Sequence, residues 1–274
     1  MNTTYMKLSN ILKRENKILL RELVVTDFKL RYQGSVLGYM WSVLKPLFLF
    51  AILYIVFDKF LRLGRNIEHF PVYLLIGVVL WSFFVEATNN GLRSIVSRGG
   101  LIRKINFPKY IVVISGTISS LINLGINLVV IVVFMLVNGV AFSFDSLMII
   151  PLIVELYIFA LAIAFFLAAL NVKFRDVGYL WDIFLQAAFY ATPIIYPLQM
   201  IFAQSELAAK LIMFSPVAQV IQDARYFVVT ADSIRLADVA SGTAVWMPLL
   251  IIAITSLLAV FYFKRSQGRF AELV

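Results

Sequence analysis

The stretch Tyr110–Val137, YIVVISGTISSLINLGINLVVIVVFMLV, runs for 28 residues without a single charged side chain. As an α-helix it would be about 42 Å long, more than the ~30 Å of a bilayer's hydrocarbon core. Such a segment needs either lipid or a large protein interior around it. The rest of the chain points to lipid. Of its 274 residues 62% are hydrophobic and only 14% charged, with a mean hydropathy of +0.92. A soluble domain of this length needs far more polar surface to cover its core.

Five further apolar runs near the ~20 residues that span a bilayer lie at 36–57, 70–90, 147–170, 177–197 and 243–263. Residues 198–242 are only moderately apolar. They are broken by Ser215-Pro216 and scattered charges, and they read as short helices at the membrane surface. Six spans put both termini on one side, and the basic residues say which. Of the 24 Lys and Arg, 18 fall in pieces on the side of the N-terminus, and only Lys59, Arg62, Arg65, Lys210, Arg225 and Arg235 fall on the other. Basic flanks stay cytoplasmic during insertion. The expected fold is an all-α integral membrane protein of six transmembrane helices, N-in and C-in.

Residues 1–35 form a separate element. Residues 1–31 are too charged for a cleaved signal peptide. Leu12, Leu19, Leu23 and Leu30 fall on one side of a helix, with Lys13, Arg14, Lys17 and Arg21 roughly opposite. This predicts an amphipathic helix in the cytoplasmic interface; an ordinary basic flank that happens to be helical is the alternative. Residues 36–274 are then the transmembrane domain.

Several chemistries have no residues to run on. There is no cysteine, hence no disulfide and no thiolate metal site, and His69 is the one histidine. No G-x-x-x-x-G-K-[ST] loop, nucleophile elbow or H-E-x-x-H pair occurs. Charges inside spans are costly and face protein or water. Here they are Lys45, Glu86, Glu155 and Asp182. Glu86 and Asp182 lie near cytoplasmic ends, and Lys45 can snorkel. Glu155, the most interior acid, either lines a polar passage or pairs with a polar neighbour such as Asn123 or Asn127. Asp176 is placed to cap the fifth span, with Arg175 at the headgroups. The basic loop 93–108 carries Leu101, Ile102, Ile105 and Phe107, four large apolar residues that need something to pack on: a partner protein or lipid headgroups.

Seven motifs in order carry a family resemblance. They are TDFKLRYQGSVLGYMW at 26–41 with Lys45-Pro46; YLLIG at 73–77 through WSFF at 81–84; GLIRKINFP at 100–108; and FRDV at 174–177. Thr192-Pro193-Ile194-Ile195-Tyr196 stands where the family has Ser-Pro-Ile-Tyr, and Ser215-Pro216 where it has Asn-Pro. The tail runs from Phe263-Lys264-Arg265 to Phe270-Ala271-Glu272. Together they resemble the membrane subunit of ABC transporters that export O-antigen, capsule or teichoic acid.

That resemblance implies a homodimeric, non-enzymatic permease in the cytoplasmic (inner) membrane of a bacterium. It would pair with two ATP-binding subunits, which hold the ATP and Mg, and would itself carry no cofactor, no metal and no nucleic-acid partner. Its substrate would be a lipid-linked polysaccharide moving outward between two copies. Leu101, Ile102, Arg103, Lys104, Ile105, Phe107 and Pro108 would couple to the ATPase, joined by the N-terminal helix, and 198–242 would form outer gate helices. Spans one and five would line the passage. Their aromatics Tyr39, Trp41, Tyr54, Trp181, Phe184, Phe189, Tyr190 and Tyr196 are candidates to pack on sugar C–H faces, or else serve helix contacts and interfacial belts. Lys13, Arg14, Arg31 and Lys45 are candidates to attract the lipid diphosphate at the cytoplasmic mouth, or else simply obey the positive-inside rule. Two other functions remain open: a permease of the same fold for small lipophilic compounds, and an autonomous secondary carrier or channel.

Overall fold

In the computed structural model of the chain the described residues are 14–32, 34–62, 64 and 67–274, with the side chains of Phe28, Leu30, Arg31, Tyr32 and Tyr39 outside the description. Among the described residues every regular element is helical. In chain order these are α1 (Arg14–Tyr32), α2 (Trp41–Tyr54), α3 (Phe70–Ser97), α4 (Gly99–Lys104), α5 (Tyr110–Val137), α6 (Ile149–Lys173) and α7 (Val177–Ala191). Then follow α8 (Leu198–Phe202), α9 (Glu206–Met213), α10 (Pro216–Val228), α11 (Leu236–Val239), α12 (Met247–Ser266) and α13 (Phe270–Leu273).

Four helical stretches, built around α3, α5, α6 and α12, are long and apolar enough to cross a membrane. The other two predicted spans differ. The first is α2 entered by a 3-10 turn (Gly38–Met40) and extended by a π-helical turn, Ile55–Phe60. The fifth, α7, stops at 15 residues. Pro193 ends it, because the residue before a proline is driven out of the α region, and Thr192 is extended (φ −87°, ψ 135°). The Tyr196 hydroxyl turns back to donate to the carbonyls of Tyr190 (3.0 Å) and Ala191 (3.3 Å), closing the exposed helix end.

α3 is the hub. It is buried on nearly every side from Val72 to Phe84 and packs on α5, α6, α10 and α2. Close approach to α6 rests on small residues: a Cβ at Gly91 of α3 would overlap that of Ala164, and Ala87 of α3 and Ala160 and Ala168 of α6 are fully buried. By contrast α12 leaves Leu250, Ile254, Leu257, Leu258 and Phe261 exposed, and α5 leaves Val129, Val133, Leu136 and Val137 exposed, as lipid-facing helices do.

Arg93, Arg98, Arg103, Lys104, Lys109, Lys173, Arg175, Lys264 and Arg265 gather at one end of the bundle, the basic end, where α3, α6 and α12 finish and α5 and α7 start. There α1 lays Leu19, Leu20 and Leu23 on the chain's own core, beside Ile95, Ile111 and Phe165, and exposes Arg14, Lys17 and Arg21. Its apolar side therefore has a protein partner where the sequence suggests lipid. Asp27 of α1 pairs with Arg98, whose other nitrogen donates to Ser115 Oγ (2.7 Å). Asp176 does stand at the N-cap of α7, but it is helical in conformation (φ −70°, ψ −15°) and its side chain caps nothing.

At the opposite end, 198–242 is not simply a surface layer. α8, α9 and α11 form a small cluster through Leu198, Ala209, Met213, Leu236 and Val239. α10 is embedded, burying Val217, Val220, Ile221, Ala224 and Arg225 against α3 and α6.

Candidate functional site

α5 carries Ser115, Ser119, Asn123 and Asn127 at four-residue spacing, with Ser120 beside them. Residues four apart lie on one helix face, so this polar stripe needs partners inside the bundle, and α2 and α3 supply them. Asn90 Nδ2 donates to Ser120 Oγ (2.7 Å), and Asn123 Nδ2 donates to Glu86 Oε1 (2.8 Å). Pro46 of α2 has no N–H for the Ser42 carbonyl four residues back. Asn127 Nδ2 donates to that carbonyl (3.2 Å), and also to the Asn123 carbonyl (2.9 Å).

Ser42, Glu86, Asn90, Asn123 and Asn127 of this network floor a cleft of about 1020 Å³ between α2, α3, α5 and α7. Its polar lining includes Ser82, Glu86, Asn89, Asn90 and Arg93 of α3, Asn123 and Asn127 of α5, Asp182 and Gln186 of α7, and Ser42 and Lys45 of α2. Arg93 Nη2 lies 3.7 Å from Asp182 Oδ2 across the basic end. Toward the other end the walls turn apolar and aromatic with Leu49, Val79, Trp81, Phe83, Phe189 and Tyr190; Trp81 and Phe189 meet edge to face at 6.0 Å. Trp41, Lys45 and Leu49 of α2 and Gln186 and Tyr190 of α7 are exposed, so the cleft opens between the two short helices.

Three of the four in-span charges, Lys45, Glu86 and Asp182, thus meet in one place, which their separation along the chain concealed. Glu155 does not join them. Asn123 and Asn127 are engaged with Glu86, Ser42 and the α5 backbone, and Glu155 faces Gln219 and Asp223 of α10. Of the aromatic candidates Trp41, Phe189 and Tyr190 line the cleft. Trp181 donates from Nε1 to Thr88 Oγ1 (3.1 Å) and stacks on the exposed Phe184 ring at 5.0 Å, alongside the cleft. Tyr54 packs between Phe50 and Phe70, and Tyr196 closes α7. Trp81 and the α5 stripe were missed; the stripe's regular spacing was the signal that could have found them. Of the basic candidates Lys45 lines the cleft and Arg14 is exposed on α1. Lys13, and the side chains of Arg31 and Tyr39, lie outside the described residues.

The loop residues divide. Ile102 (3% exposed) and Phe107 (9%) are buried in this chain's basic-end core with Tyr110, Phe263 and Phe270. Ile105 is 53% exposed, Arg103 and Lys104 point outward, and Leu101 and Pro108 are half-buried. The C-terminal turn packs on α4, and Gly99 lies close against it, a Cβ there overlapping Val274 Cγ1 unless that side chain shifts.

Arg225 is wholly buried, and sequence reasoning treated it only as an outer-side charge. Its Nε donates to the Tyr73 carbonyl (3.0 Å), Nη1 to that of Pro193 (2.6 Å) and Nη2 to that of Ile194 (2.6 Å), while its guanidinium covers the Tyr73 ring at 3.7 Å. Gly77 makes the room, since a Cβ there would stand 2.5 Å from Nη2. Arg225 thus ties α10 to α3 and to the break after α7.

Long apolar helices enclosing a polar cleft define a multi-pass helical membrane protein. The chain belongs to the ABC-2 type transporter membrane family, whose pattern matches residues 18–228. It is 33% identical over 199 residues to the O-antigen export system permease protein RfbA of Myxococcus xanthus, covering 71% of this chain and 74% of that one. A protein of the same name from Klebsiella pneumoniae is 28% identical over 249 residues, 90% of this chain and 92% of its own length.

Proposed function

We propose that the chain is the permease subunit of an ATP-driven exporter that moves a lipid-linked cell-surface polysaccharide outward across a bacterial cytoplasmic membrane. Two copies would face each other across α2 and α7, each contributing its cleft to the passage. Counting α2 and α7 gives six spans with both termini cytoplasmic. The basic end then meets two ATP-binding subunits, which hold ATP and Mg, through α4 and α1, and 198–242 forms the outer gate.

The carrying observation is the cleft, which has a hydrogen-bonding floor and an aromatic wall and opens on one side between two short helices. The named relatives supply the cargo class. The polar floor counts against a permease for small lipophilic compounds. The test is reconstitution with the ATP-binding subunits in vesicles. ATPase activity rises with lipid-linked glycan and not with lipophilic drugs, and glycan reaches the far side only with ATP. Transport by the chain alone, driven by an ion gradient, would overturn the reading.

A further inference from the structure

The proposed function brings α1 and α4 to the ATP-binding subunits, and an inference about how the two are held rests on that reading. They stand far apart in the chain, and one residue joins them. Arg98 is the single residue between α3 and α4, C-cap of the first and N-cap of the second, with φ −113° and ψ 24°, outside the helical region. Its carbonyl accepts from the N–H groups of Leu101 and Ile102 (both 3.0 Å), so its backbone sets the direction in which α4 leaves α3. Its side chain is only 16% exposed. Nη2 pairs with Asp27 of α1, and Nη1 donates to Ser115 Oγ of α5 (2.7 Å). The Ser115 hydroxyl spends its own proton on the Val112 carbonyl (2.9 Å) and so meets Arg98 as an acceptor. A planar guanidinium holds its partners in fixed directions, as an ammonium does not. Any turn of α4 about this corner therefore drags Asp27, and α1 with it, or breaks the pair. The pair also borders a polar pocket of about 180 Å³, and Asn90 and Arg93 line both that pocket and the cleft. The tie thus stands between the basic end and the cleft.

We propose that Arg98 is a positioning residue for ATP-driven export: through Asp27 it holds α1 and α4 as one docking unit, so that the two move together and their movement reaches the cleft.

The tie is tested first on the full-length chain in lipid nanodiscs, by hydrogen–deuterium exchange. Asp27→Asn keeps the shape of the side chain and removes its charge. Exchange rises about tenfold, the value of one charge-assisted hydrogen bond, in α1 and in 98–105 together, and stays as it was in α12. A rise in α1 alone, or in neither segment, overturns the tie. Coupling is then measured in inverted membrane vesicles from the cells that make the protein, which hold its ATP-binding subunits and its own lipid-linked glycan. The quantity read is glycan moved per ATP hydrolysed. It does not depend on how much complex survives, so a role in stability alone leaves it unchanged. Asp27→Asn lowers it, Arg98→Lys, which keeps the charge without the fork, lowers it too, and Asp27→Glu keeps it. An unchanged ratio in Asp27→Asn, or an equal loss in Asp27→Glu, overturns the proposal. Wild-type vesicles that move no glycan with ATP lose the permease reading itself, while the exchange measurement on the chain alone still decides the tie.

Discussion

At the residue scale, two side chains inside the bundle need partners from other helices. Pro46 strands the Ser42 carbonyl, and Asn127 adopts it from another helix. Asn127→Leu should therefore destabilise by about 1–2 kcal/mol. Pro46→Ala restores a backbone donor, so in its background the same change should cost less. Denaturant titration of the four proteins in detergent measures the coupling, and strict additivity would deny the link. Arg225 is the stricter case, because it is wholly buried and donates to three carbonyls, those of Pro193 and Ile194 lying beyond the end of α7. Arg225→Met keeps most of the volume but takes the donor from the Pro193 and Ile194 carbonyls, and should destabilise by about 1–3 kcal/mol for each buried acceptor left unsatisfied. Gly77→Ala should lower the melting temperature by pressing on the guanidinium, and less so in the Arg225→Met background, where that group is gone. Equal effects in both backgrounds would contradict the packing.

At the scale of elements, α4 has a buried side and an exposed side, and under the proposed function only the exposed side would dock on the ATP-binding subunit. Ile102→Asp or Phe107→Asp puts a charge into the basic-end core and should abolish stable insertion. Ile105→Asp changes an exposed side chain, so the protein should still insert while ATP-driven export falls; expression level set against export in vesicles tells the two apart. In 198–242, burial pushes the Asp223 carboxyl above its ordinary 3.8, against the opposing hydrogen bonds from Gln219 and the Leu236 N–H. The folded state then binds more protons than the unfolded one, so this group's contribution to stability is greatest below pH 3.8 and declines as pH rises toward its folded value. Asp223→Asn should flatten that slope in pH-dependent melting curves. The same elements show what was legible in the sequence. Long apolar runs marked α3, α5, α6 and α12, because spanning lipid is a matter of local composition. Pro193 marked where α7 breaks, though the predicted span ran through it. The embedding of α10 was hidden, since a segment bearing Gln219, Gln222, Asp223 and Arg225 reads as surface until three carbonyls from distant positions are seen to converge on the arginine. The cleft was hidden likewise: Lys45, Glu86 and Asp182 stand far apart along the chain and meet only when α2, α3 and α7 pack.

At the scale of the molecule, the helices do not share the lipid equally. α12 and α5 present plain aliphatic faces, as a helix in hydrocarbon should. α2 and α7 are short, flank a polar cleft, and still expose Phe48, Ile52, Leu180, Ile183 and Phe184. A polar cleft facing acyl chains would leave its amides and charges to be desolvated without return, which is costly in a bilayer. A second copy set over the same face would bury the apolar margins and leave the two clefts opposed around water, an isologous arrangement in which each residue meets its own counterpart near the axis. Because the chain lacks cysteine, single thiols can map that contact. Phe48→Cys on α2 and Ile183→Cys on α7 should form disulfide-linked dimers under mild oxidation in native membranes, while Leu257→Cys on α12 should not. A dimer trapped through α12 and never through α2 or α7 would place the passage elsewhere.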